Sequence, residues 1–136
     1  MASAVILQKL DSIVRCIQRI EEKRPASVEE LQQSVDLQDI LMLNLERLVQ
    51  RSVDIAGILI AERGLRPVPS TMADAFDVLF TNRLIDDPLR TRMRKAVGFR
   101  NMAVHEYDKI SWTIVYRIVT IHLEDFKAFA RVAQST

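Results

Sequence analysis

Apolar residues recur at intervals of three and four along most of the chain, the period of helices that pack by one face. Ile6, Leu10, Ile13, Ile17 and Ile20 lay one stripe along a first helix, from about Ala2 to Lys23, and Pro25 stops it. Ser27, followed three residues on by Glu30, has the form of a capping box and starts a second segment. That segment pauses near Ser34 and continues as a long helix from Asp36 to Arg63, with Leu41, Leu45, Leu48, Ser52, Ile55 and Leu59 on one face. Gly64 is placed to end it in a left-handed cap, and Pro67 and Pro69 make the next connection extended. Ser70 or Thr71 caps a third, shorter helix, Met72 to about Leu84, with Ala75, Phe76, Leu79 and Phe80 as its apolar residues. Asp87 as N-cap and Pro88 at the first helical position open a fourth helix, with Leu89, Met93, Ala96 and Val97 on one side. Ser111 caps the last helix, whose core candidates are Ile114, Ile118, Ile121, Leu123, Phe126 and Phe129. The tail after Val132 is expected to fray.

These elements predict an all-α fold: an up-down helical bundle of four main helices plus a short helix, in a single domain over residues 1–136. Only three glycines and four prolines occur, most of them at boundaries, and a 49% hydrophobic content is enough for a real core. Long helices with aliphatic faces leave apolar surface to spare, so a homodimer is expected. No run approaches the roughly 20 apolar residues that cross a bilayer, and the mixed charges of the first helix do not read as a signal peptide. Cys16 is the only cysteine, so no internal disulfide can form, which fits a cytoplasmic protein. Two histidines and one cysteine make a dedicated transition-metal site within one chain unexpected, and nothing calls for a cofactor.

Net charge is only +1, but its distribution is uneven. Residues 1–82 carry 9 basic and 12 acidic groups, residues 83–100 carry 6 and 2, and residues 101–136 carry 4 and 4. The basic run Arg90, Arg92, Arg94 and Lys95 therefore precedes the one stretch that concentrates reactive side chains, Arg100-Asn101-Met102-Ala103-Val104-His105-Glu106-Tyr107. Such a focus of positive charge suits a phosphate-bearing ligand such as RNA, though a solvated helix face would look the same. A guanidinium grips phosphate through paired hydrogen bonds, and an imidazole exchanges protons near neutrality. Together they suffice for metal-independent RNA cleavage. His105 would draw the proton from a ribose 2′-OH, that oxygen would attack the adjacent phosphate, and Arg100 would stabilise the developing charge. DNA lacks the 2′-OH.

Helical geometry sets a condition on this chemistry. At 100° per residue Arg100 and Tyr107 share a side, while His105 lies roughly 140° round from Arg100. Either the helix breaks near Asn101 to His105, with Gly98 and Asn101 as break or close-packing points, or the site is shared with a second chain. Structural readings stay open for each residue: Arg100 as a buried ion-pair partner of an acid on the long helix, His105 as a helix C-cap, Tyr107 as a core aromatic. His122 has nothing reactive beside it in sequence and reads as structural, and Trp112 as a packing anchor.

The pattern Arg, four residues, His, one residue, Tyr resembles the HEPN superfamily, most closely its HepT-like toxins. The likeness extends to Leu45-Glu46-Arg47-Leu48-Val49-Gln50-Arg51-Ser52-Val53-Asp54-Ile55-Ala56, to Ala75-Phe76-Asp77-Val78-Leu79 and to Val97-Gly98-Phe99-Arg100-Asn101, and covers roughly residues 38–132. The resemblance implies a dimeric helical bundle whose two motifs line a shared cleft. It also implies a metal-independent ribonuclease, part of a toxin–antitoxin system, in which Arg100 and His105 are catalytic and Asn101 is a polar support. The RNA substrate is not specified, tRNA being one candidate. The implied partner is MntA, a nucleotidyltransferase antitoxin that attaches AMP to the motif tyrosine, which corresponds to Tyr107. AMP there would add bulk and negative charge in the cleft and repel RNA. Relatives often carry Gly where this chain has Glu106; a carboxylate there either weakens phosphate affinity or holds His105 in place. The alternative is a non-catalytic HEPN module that binds a nucleotidyltransferase or a nucleotide.

Overall fold

A computed structural model describes residues 2–136. Six helices and no strand occur among the described residues. They are α1 (Ala4–Lys23), α2 (Val28–Gln33), α3 (Val35–Arg63), α4 (Asp74–Thr81), α5 (Asp87–His105) and a last helix built in pieces. That last helix starts as α6 (Trp112–Arg117), passes through a π turn at Ile118–His122 and continues as α7 (Leu123–Ser135). No helix among the described residues is long and apolar enough to cross a membrane.

Local chemistry explains most boundaries. Ser3 caps α1 by accepting from the Ile6 N–H. Ser27 Oγ accepts from the Glu30 N–H at 3.2 Å, while the Glu30 carboxylate reaches back to the Ala26 N–H at 3.2 Å. Ser34 ends α2 and caps α3 through the Leu37 N–H, so the expected pause is a real break. Gly64 closes α3 at φ 60°, and the Leu65 N–H bonds the Ile60 carbonyl. Boundaries differ from expectation in α4 and α5. α4 starts at Asp74 instead of Met72, where Thr71 Oγ1 accepts from the Asp74 N–H at 3.2 Å. α4 stops at Thr81 instead of about Leu84, because Arg83 turns the chain at φ 64° and the Leu84 N–H closes onto the Leu79 carbonyl. α5 is capped by Asp86 and not Asp87: Asp86 Oδ1 accepts from the Leu89 N–H at 2.9 Å. Pro88 therefore sits one residue further in, where its missing N–H would have had no helical partner.

The long helices pack side by side with alternating direction. Lys9 pairs with Asp54 while Arg51 donates to Ser12, so α1 and α3 are antiparallel. Arg24 donates to the Val119 carbonyl and Lys127 pairs with Glu21, which runs the last helix antiparallel to α1. The expected faces of α1 and α3 are buried throughout, and Phe76 of α4 meets Phe129 of α7 edge to face at 5.5 Å. Buried Asn44 and Ser52 each donate to a carbonyl one turn back, so neither polar group is stranded.

The last helix departs most from its sequence pattern. Ile114 and Ile121 are exposed and Ile118 is half-buried, with Val115 and Val119 in the core in their place, whereas Leu123, Phe126 and Phe129 are buried as expected. Val115, Val119 and Leu123 are four apart, a spacing that the wider π turn, with about 4.4 residues per revolution, keeps in line. The tail does not fray, since α7 extends to Ser135 with Ala133 fully buried.

A groove that holds Arg100 but not His105

α5 runs unbroken to His105, so of the two alternatives the helix break near Asn101 to His105 is absent. Gly98 is exposed inside this helix, and a methyl group there would meet nothing, which removes its suggested role in close packing. Because α5 is continuous, Arg100 and His105 diverge as the helical wheel requires. Arg100 stands on the wall of a groove of about 300 Å³ between α3, α5 and the last helix; His105, Asn101 and Tyr107 are not among the groove's lining residues.

The groove floor is apolar, built from Met42, Leu45, Met93, Phe99, Ala103 and Phe126. Its rim carries Arg92, Lys95, Arg100, Arg117 and His122, with Glu46 and Asp125. Arg100 forms no ion pair among the described residues, so the reading of a buried pair with an acid on the long helix is not what the structure contains. One Nη donates to Asn101 Oδ1 at 3.3 Å, and the buried Nε has no acceptor. A guanidinium in this state is short of one hydrogen-bond partner.

His105 is the last residue of α5 and is exposed. The chain then turns sharply: the Glu106 N–H caps the Met102 carbonyl, and Tyr107–Lys109 forms one 3₁₀ turn. The Glu106 carboxylate accepts from Lys109, not from His105. Tyr107, outside the helix and half-exposed, packs edge to face on Trp112 at 6.3 Å. It is thus a surface aromatic and not a core one. Partial burial, and secondly the nearby Asp39 carboxylate, raise its pKa above the usual phenol value.

The basic run divides. Arg94 pairs with Asp74 and Asp77 of α4. The Arg94 hydrogen bond is the main reason that the Asp74 carboxyl is held below its usual pKa. Arg90 pairs with Asp77 and Asp87 and lies over the Phe80 ring at 4.3 Å. These two arginines tie α5 to α4, whereas Arg92 and Lys95 face the groove. His122 and Arg117 join them there, and periodicity alone had marked neither. His122 Nδ1 lies 3.3 Å from Asp125 Oδ2, and Arg92 reaches the other carboxylate oxygen at 3.5 Å. Among the described residues no cluster of three or more His, Cys, Asp or Glu is placed to hold a metal.

A family model for ribonuclease HepT-like proteins matches residues 13–133. A Shewanella oneidensis protein named mRNA nuclease HepT is 37% identical over 131 residues, 96% of this chain and 97% of that one. The fold also superposes, with TM-score 0.91 and 36% identity, on a chain in the solved structure of the tri-AMPylated Shewanella oneidensis HEPN toxin in complex with MNT antitoxin, covering 98% of this chain and 99% of that one. A toxin–antitoxin crystal structure with AMP-PNP gives TM-score 0.89 at 36% identity, over 96% and 98% of the two chains. The cytosolic Bacillus subtilis protein YutE, 17% identical with TM-score 0.83 over 97% and 87%, shares the fold alone. The motif on α5, the helical frame around it and this coverage of almost every residue agree: the chain belongs to the HepT-like ribonucleases.

Proposed function

We propose that this ribonuclease is the toxin of a toxin–antitoxin pair and cuts RNA as a homodimer without a metal ion. The observation that carries the reading is Arg100, a half-buried guanidinium with no acid paired to it, five residues before an exposed histidine on the same helix. Arg100 takes the phosphate and His105 takes the 2′-OH proton, with Asn101 fixing the guanidinium from below. Because the two side chains diverge on a continuous helix, one copy supplies Arg100 to a cleft and the second copy brings its His105 alongside. The uncovered apolar floor of the groove supports such pairing. Arg92 and Lys95 guide the strand by charge; Arg90 and Arg94 contribute field rather than contacts, being held by α4.

An MntA-like nucleotidyltransferase is the proposed partner, and Tyr107 the residue it modifies with AMP. Support comes from the AMPylated relative and from the half-exposed position of Tyr107 two residues beyond His105. The test is expression in a bacterial host and in vitro RNA cleavage by wild type, Arg100→Ala and His105→Ala. Wild type should arrest growth and cleave RNA in the presence of a chelator, with each variant reduced by about a hundredfold or more. Equal toxicity of all three would remove both residues from the mechanism and favour the non-catalytic module. Loss of activity with chelator would remove the metal-free route.

A further inference from the structure

A groove that serves phosphoryl transfer by 2′-OH attack has to manage two protons. One leaves the 2′-oxygen, and one must reach the departing 5′-oxygen, which is a poor leaving group as an alkoxide. His105 accounts for the first. Within one chain, the groove that contains Arg100 also contains an imidazole, and it is His122.

Four observations single out His122. It closes the π turn at Ile118–His122, and such turns are rare and concentrate at functional sites. The π turn is stabilised from outside, because Arg24 donates to the Val119 carbonyl at 2.9 Å. Asp125 holds the ring through Nδ1 at 3.3 Å, and Arg92 in turn holds Asp125. Among the described residues Nε2 has no hydrogen-bond partner, and the side chain is about 40% exposed, so this nitrogen is open to a ligand. A carboxylate that orients one ring nitrogen while the other faces a substrate is the arrangement used for directed proton transfer. The charged groups facing it from neighbouring elements are Arg92, Lys95 and Arg100 of α5, Arg117 of α6 and Glu46 of α3.

We infer that His122 is the proton donor to the leaving group in RNA cleavage, with Asp125 as its positioning residue. This rests on the ribonuclease reading above. As the 2′-oxygen bonds to phosphorus and its proton passes to His105, the P–O5′ bond breaks. The Nε2 proton of His122 goes to the departing 5′-oxygen. The products are a 2′,3′-cyclic phosphate and a free 5′-hydroxyl; His105 then gives up its proton to water and His122 regains one from water.

The experiment compares wild type, His122→Gln and His105→Gln on two RNA oligonucleotides. The first is an ordinary strand on which the cleaved linkage is mapped. The second carries sulfur in place of the bridging 5′-oxygen at that linkage; a thiolate departs without needing a proton. The prediction is that His122→Gln cleaves the ordinary strand about 10² to 10⁴-fold more slowly and the sulfur strand at close to the wild-type rate. His105→Gln should be slow on both. Wild-type cleavage of the ordinary strand by His122→Gln, or an equal loss on both strands with helical content intact by circular dichroism, would overturn the assignment. Failure of wild type itself to cut RNA would instead overturn the ribonuclease reading, and His122 with it.

Discussion

Arg100 and Tyr107 sit seven residues apart but are held by opposite means. Arg100 is drawn against an apolar wall, where an N–H without an acceptor is costly and a phosphate oxygen would satisfy it. Tyr107 is set in a surface turn, braced by Trp112 and influenced by Asp39. The direction of its shift makes a titration prediction. In wild type the phenol should ionise above about 10, the usual tyrosine value. Asp39→Asn should lower that midpoint only part of the way, because partial burial is the larger cause. Ultraviolet titration against a Tyr107→Phe control separates its signal from Tyr116; an unchanged midpoint in Asp39→Asn would remove the carboxylate as a cause. The linkage sign follows: stability from the neutral phenol is intact below the unfolded value and is lost as pH rises through the higher folded one. His105 and Tyr107 were legible as residue types from spacing alone. Their exposure was not, because it depends on where α5 ends against its neighbours.

Two helices decide which side chains meet. Gly98 looked like a weak point in α5, yet the helix passes straight through it and leaves open space beside it. Gly98→Ala should therefore stabilise the fold by about 0.5–1 kcal/mol through backbone propensity, seen as a raised thermal midpoint. A lowered midpoint would mean that the open space is occupied in the working assembly. In the last helix a five-residue π turn changes the register. The sequence pattern selects Ile114 and Ile121 for the core before and within the turn, whereas Val115 and Val119 are buried there. Hydrophobic spacing reports a period correctly only while the period is constant, so the buried face was legible from Leu123 to Phe129 and not before it. His122 ends that turn and lines the groove; its partner Asp125 stands three residues on in the sequence, but the groove that gives the pair a setting is not visible there.

For the whole molecule, the groove is the surface on which the proposed pairing of two copies rests. Its floor is apolar, and Ile114 stands exposed at its edge. Ile114→Glu should keep the helical fold, because the side chain lies outside the core, but should weaken pairing of two copies and reduce RNA cleavage with it. Sedimentation equilibrium checks this: wild type is expected as a dimer at micromolar concentration and the variant as a monomer. A wild-type monomer that cleaves RNA at full rate would remove the composite site.

The sequence by itself determined the helical class, the capped start at Ser27, the pause near Ser34, the glycine stop at Gly64 and the motif that resembles HEPN ribonucleases. Those features depend on backbone hydrogen bonding and side-chain chemistry over a few residues, which local order encodes. Tertiary structure decided which cations remain available. Arg90 and Arg94 are engaged by acids of α4 that precede them by up to 20 residues, while Arg100 meets none. It also placed Arg100 and His122 on one groove and His105 outside it. Side chains distant in sequence meet only through packing, and a π turn or a helix end rotates them by amounts that a fixed period does not carry.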